Sequence, residues 1–191
     1  MDEKVKPVPE LIEVEPLQEG YRWVAITAML YAIGIILHTV SPNVGGVTPN
    51  WTIAMYSIVM NLTRPRLTQA IGMGFIAGLT IVPSSKSAFP LGNIASELAG
   101  ATACCLMVKA MFAAGLGDWK FRPYVVGLLS TVVSGSVFTF ILRAVLGLPI
   151  HVWVYAMLPV VLAVGVLNGF ITYFLFGPVR KLFYVNKEGT K

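Results

Sequence analysis

Residues 23–40 read WVAITAMLYAIGIILHTV, with no ionised side chain apart from the proton His38 can carry. The same character returns at 67–82, 90–108, 124–142 and 152–176, where Glu97 is the single charged residue. A hydrocarbon core roughly 30 Å thick needs about 20 apolar residues as helix, so each run is long enough to cross it. Residues 50–63 form a shorter sixth run. Charged side chains inside a span are costly, which confines Lys and Arg to the ends of the runs. The expectation is an all-α membrane protein, a six-transmembrane-helix bundle.

The composition agrees. Hydrophobic residues make up 56% of the chain and charged ones 12%, against roughly 25% charged in a soluble domain. Mean hydropathy is +0.75. In a chain of 191 residues the bundle, 22–184, is nearly the whole molecule, with an N-terminal arm at 1–21 and a tail at 185–191. The net charge of +5 does not imply nucleic acid, because the basic residues are spread over several loops without interleaved aromatics.

Their distribution sets an orientation instead. With the N-terminus cytoplasmic, six spans return the C-terminus to the same side. Twelve of the fourteen Lys and Arg then lie inside, and only Lys86 and Arg143 lie outside. That asymmetry is the positive-inside pattern, and it implies a multi-pass protein of the cell membrane with both termini cytoplasmic. The first apolar run comes after an acidic, Pro-bearing stretch, so no cleavable signal peptide is expected. Cys104 and Cys105 are adjacent in an apolar helix and point about 100° apart, unsuited to a disulfide. Without His partners they make no metal site.

The connections at SPNVGGVTPN (41–50) and PSSKSAFPLGN (83–93) are turn-rich and fall outside. In helix 3, Gly72, Gly74 and Gly78 allow close approach of a neighbour. Ala95, Ala99 and Ala103 make a smooth face on helix 4, and Ser130 and Ser134 share that spacing on helix 5. Pro159 is expected to kink or begin helix 6, and Gly177-Pro178 to end it.

Glu97 lies about two turns, roughly 10 Å, inside helix 4. A carboxylate there is paired with a packed polar neighbour, or it serves a cationic substrate group or a proton. His38, near the outer end of helix 1, is either a packing residue or the lining of an outer pocket. Lys86 and Arg143 either meet solvent and headgroups or bind a carboxylate. Asn93 at the start of helix 4 and Asn168 in helix 6 need hydrogen-bond partners wherever they are buried. Trp51, Trp153 and Tyr155 belong to an interfacial belt or wall a pocket. These nine residues are the candidate substrate site, placed at the outer side between the first two outer loops and helices 4 to 6.

The absence of a GxxxxGK[ST] loop argues against ATP hydrolysis by this chain. There is no HExxH, and His38 and His151 are far apart. A hydrolase or phosphotransfer reading has no credible nucleophile–base pair, and no bound cofactor is expected.

Leu37, His38, Pro42, Gly45, Gly46 and Pro49 in and before the first outer loop form one recognisable pattern. A second is AFPxGxI at Ala88, Phe89, Pro90, Gly92 and Ile94, and a third is Leu158, Pro159, Leu167 and Asn168. With these motifs the chain resembles the substrate-binding S components of energy-coupling factor (ECF) transporters, closest to the TrpP-like tryptophan-transport family, over roughly residues 23–180. The resemblance implies an ECF S-component-like fold that captures a small solute, tryptophan or a related amino acid or vitamin, from outside. It also implies docking to a transmembrane coupling subunit with two ATPase subunits that hydrolyse the ATP. The family's Ala-x-x-x-Ala docking face is matched by Ala28 and Ala32. Where the family carries further Asn- and Asp-type residues, this chain has Ser96 and Glu97.

Two other functions fit the same runs: a proton-coupled secondary carrier using Glu97, and a membrane scaffold whose small-residue faces serve only partners. Transport by the chain alone favours the first, and failure to bind any solute the second.

Overall fold

The computed structural model describes residues 22–41 and 49–183. The arm at 1–21, the tail from 184 and the Pro42, Gly45 and Gly46 positions of the first loop lie outside the described residues. Among those described, every regular element is helical. The helices are α1 (Arg22–Val40), α2 (Trp51–Thr63), α3 (Leu67–Ile81), α4 (Gly92–Ala113), α5 (Arg122–Val145) and α6 (Ile150–Phe183). Five of them, all but α2, are long and apolar enough to cross a membrane. Their outward faces carry Ile33, Ile36, Phe75, Ile76, Leu106, Leu129, Leu162 and Phe174, all exposed. In water such a surface would aggregate, whereas acyl chains solvate it.

The short α2 has a different place. Thr52 to Asn61 are all buried, and α2 packs against every other helix. Because its neighbours rather than lipid surround it, its 13 residues, about 20 Å of helix, need not match the bilayer. Asn50 starts it, its side-chain oxygen accepting from the Ile53 N–H. Arg64 ends it in the left-handed region at φ 48°, and Pro65 prevents continuation. The Gln69 side chain then accepts from the Arg66 N–H at 2.7 Å to open α3.

Around α2 the other helices follow the order α1, α3, α4, α5, α6. The α3–α4 seam closes at Gly74 and Gly78. A Cβ on Gly78 would lie 2.6 Å from Ile94 Cα, a backbone atom that cannot swing aside. Gly72 does not join that seam: a Cβ there meets nothing within 4 Å, because its helical phase turns it toward the α1–α3 groove. The alanine face of α4 is likewise not its tightest contact, since Ala95 is exposed while Gly100 abuts Tyr56 and Ser134.

Pro159 does not begin α6, and Gly177-Pro178 do not end it. The helix begins at Ile150, passes through a π turn at Trp153–Met157, and continues to Phe183 with Pro178 inside it. The Leu158 N–H bonds the Trp153 carbonyl, five residues back. The wider turn leaves room for the Pro159 ring, which would otherwise meet the carbonyl four residues before it. Pro178 costs one bond near the helix end, where Arg180 and Lys181 complement the dipole.

Candidate functional site

Between α4, α5 and α6, at the end of the bundle that carries Lys86, lies a cavity of about 480 Å³. Its walls are mostly apolar: Ile53 from α2, Phe138 and Leu142 from α5, and Val152, Met157, Val160 and Val161 from α6. The π turn belongs to this wall. Its polar groups are Asn50, Asn93, Ser96, Glu97, Thr131, Ser134 and Thr139, with His38 at the mouth. A second space of about 480 Å³ shares His38, Asn50, Asn93, Phe138 and Leu142 and extends past Ser84–Ala88, forming a vestibule.

Glu97 is 1% exposed, yet it lines the inner cavity. Its Oε1 accepts from Asn50 Nδ2 at 2.6 Å and from Ser134 Oγ at 3.5 Å. The Tyr56 hydroxyl lies beside the carboxyl, but Oε2 accepts no well-formed hydrogen bond among the described residues. An acid buried this deeply with unused acceptor capacity is suited to a cationic ligand group or a proton.

Asn50 holds the polar side together. Its Oδ1 caps α2 and accepts from Thr52 Oγ1 at 2.6 Å, while its Nδ2 reaches Glu97. Its carbonyl accepts from Asn168 Nδ2 at 3.2 Å, and the same amide reaches Thr131 Oγ1 at 3.0 Å. Asn168 is therefore fully buried behind the cavity and supports its wall. Asn93 lines both spaces and donates to Ser85 Oγ at 3.1 Å and to the Pro90 carbonyl at 2.8 Å.

Of the nine residues singled out from sequence, Glu97, Asn93 and His38 line the cavity, and the exposed Lys86 stands on the vestibule rim. Asn168 stands behind the wall. The other four lie elsewhere. Trp51 packs on the core and donates its indole N–H to Ser41 Oγ at 2.6 Å. Trp153 donates to Thr139 Oγ1 at 3.1 Å and meets Phe140 edge-on, so it touches a cavity residue without lining the space. Arg143 stacks near Phe140, 5.9 Å from the ring centroid. Tyr155 is 80% exposed on the lipid-facing surface. Asn50, Thr131, Ser134 and Phe138 were not among the sequence candidates. Asn50 alone carried a readable signal, an Asn directly before an apolar run, which marks a helix N-cap. Ala28 and Ala32 are exposed on α1, away from this site.

This is a multi-pass helical membrane protein with a lined cavity large enough for a small solute. The family described as "Tryptophan transporter TrpP" matches residues 21–184, so the chain belongs to the TrpP family. A relative named "Probable tryptophan transport protein", from Clostridium acetobutylicum, is 26% identical over 159 residues, covering 82% of this chain and 90% of its own. No solved structure matches the chain.

Proposed function

We propose that this protein is the substrate-binding S component of an ECF-type importer and that its solute is tryptophan. In this reading α2 counts as a sixth crossing, both termini are cytoplasmic, and the chain resides in the plasma membrane with the Glu97 cavity facing outside. A coupling subunit and two ATPase subunits would supply the energy, docking on the Ala28–Ala32 face of α1. The observation that carries the reading is the buried Glu97 in a largely apolar cavity, in a chain of the TrpP family.

Tryptophan offers a cation, a carboxylate and a large ring. The ammonium would pair with Glu97, where exclusion of water strengthens the attraction. The carboxylate would point to the mouth, toward His38 and Lys86. The indole would occupy the apolar wall, with Phe138 the aromatic side chain placed to stack on it. The cavity volume falls within the range of roughly 300–1,000 Å³ usual for small-molecule sites.

Calorimetry of the purified chain with L-tryptophan, and with indole-3-propionate, which lacks the amine, tests this. Tryptophan should bind at least about tenfold more tightly, equivalent to roughly 1.4 kcal/mol. Equal affinities would remove the role assigned to Glu97, and binding of neither would remove the substrate. The buried acid also favours a second reading, a proton-coupled carrier. Tryptophan uptake by liposomes holding this chain alone, driven by a pH gradient, would select it over the importer.

A further inference from the structure

The opposite end of the bundle holds a separate cavity of about 340 Å³. Among the described residues, Arg64, Lys120, Arg122 and Arg180 line it with Asp118 as the one acid, a formal net charge of +3. Arg122 is only 6% exposed. Its guanidinium donates to Asn61 Oδ1 at 2.9 Å, to the Asn61 carbonyl at 3.4 Å and to the Gly117 carbonyl. All three acceptors are neutral, and none of these bonds goes to Asp118. The Phe112 ring carries two guanidiniums, Arg122 at 4.5 Å and Arg64 at 4.7 Å from its centroid. The site thus draws like charges together and removes one of them from water with no carboxylate hydrogen-bonded to it among the described residues, an arrangement that an added anion would relieve.

Aromatic rings surround the mouth of this cavity. Trp119, part of its lining, meets Phe121 at 6.1 Å, and Phe121 stacks on Tyr173 at 5.9 Å. Tyr173 in turn meets Phe174 at 5.5 Å. Trp119, Phe121 and Phe174 are exposed. An exposed Trp such as Trp119 belongs at the headgroup level. Acyl chains lying along these rings would bring a lipid phosphate to the cavity mouth.

We propose that this basic cavity binds a phosphate group, supplied by an anionic lipid headgroup. Arginine suits that role because its planar fork donates in pairs to phosphate oxygens. Arg122, fixed by Asn61 and Gly117, forms the floor, while the exposed Arg64 and Arg180 close on the phosphate from the sides. This cavity shares no lining residue with the Glu97 site.

The test uses the full chain in neutral detergent, titrated with phosphatidylglycerol or phosphatidylcholine, and bound lipid is read by native mass spectrometry. Phosphatidylglycerol should be retained at least about tenfold better. The double variant Arg64→Gln/Arg180→Gln should lose that preference while melting at the same temperature in lipid-free detergent. Arg122 is left intact because its loss would unfasten the 114–121 loop. Soluble glycerol 3-phosphate is the third probe. Displacement of the lipid by it would make a free phosphate compound a competent source, and lack of displacement would assign the site to the headgroup with its chains. No preference between the two lipids, or a preference that survives in the double variant, overturns the proposal.

Discussion

Replacing Glu97 by Gln changes one group and almost no volume. The side-chain oxygen of the amide can still accept from Asn50 and Ser134, which now bond Oε1 at 2.6 and 3.5 Å. The scaffold should therefore survive, and melting without ligand should stay level or rise, because a buried ionised carboxylate is costly to hold. Ligand binding should behave differently. A bound ammonium that loses its carboxylate is left desolvated and unpaired, and breaking one partner of a buried pair costs about 3–5 kcal/mol. Water entering from the vestibule will recover part of this, so the working expectation is a loss of at least about 1.4 kcal/mol, or tenfold in affinity. Calorimetry with L-tryptophan measures it, and indole-3-propionate is the internal control, since a ligand without the amine should lose little. Unchanged tryptophan affinity in a folded Glu97→Gln protein would refute the pairing and leave Glu97 as a packing residue.

Asn50→Ala removes the α2 cap and the Glu97 contact together, and should lower stability by about 1–2 kcal/mol as well as weaken binding, read by thermal melting and calorimetry. Gly100→Ala places a methyl 2.6 Å from the Tyr56 hydroxyl and 2.7 Å from Ser134 Cβ. It should destabilise the bundle by about 1–3 kcal/mol in the same melting assay, and a neutral result would mean that the seam relaxes freely. Ala28→Trp or Ala32→Trp should abolish co-purification with a coupling subunit while leaving tryptophan binding intact. An intact complex with both variants would place docking elsewhere. For orientation, Ser85→Cys should react with an impermeant maleimide on intact cells and Lys120→Cys only after permeabilisation. The native Cys104 and Cys105 are buried and give little background, and reversed accessibility would invert the topology.

The helices are legible in the sequence because lipid imposes a one-dimensional rule. Charges mark the ends of apolar runs, and α1 ends at Val40 where its run ends. What the rule omits is neighbourhood. Hydropathy makes α2 a short span, because burial by protein and burial by lipid select the same side chains, and only packing shows that α2 is the axis of the bundle. Glu97 is legible for the opposite reason, as the residue that violates the apolar rule. Helical phase explains the aromatic residues that fall away from the cavity. Trp153 and Tyr155 stand in the π turn, where one extra residue rotates the remainder of α6 by about 100° relative to a regular helix. Trp51 and Arg143 are close to the outer loops in sequence, but Trp51 donates to Ser41 and Arg143 lies over the Phe140 ring.

The position of Asn50 gives the site a property beyond shape. As the cap of α2 it stands at the positive end of that helix dipole, and it presents its amide to Glu97. A carboxylate held at a helix N-terminus is favoured by roughly 0.3–1 kcal/mol at exposed sites and more when partly buried. That favours retention of the negative charge the apolar walls oppose. The same residue is bonded through its carbonyl to Asn168 on α6. A ligand that engages Glu97 therefore acts on a group tied at once to α2, α4, α5 and α6, through Asn50, Glu97 itself, Ser134 and Asn168. Because α2 contacts every helix in the bundle, including the α1 that carries Ala28 and Ala32, a small adjustment at Glu97 has a packed route to the face proposed for docking. The coupling needs only that α2 be rigid enough to transmit a shift of its capped end, and its ten consecutive buried residues provide that rigidity.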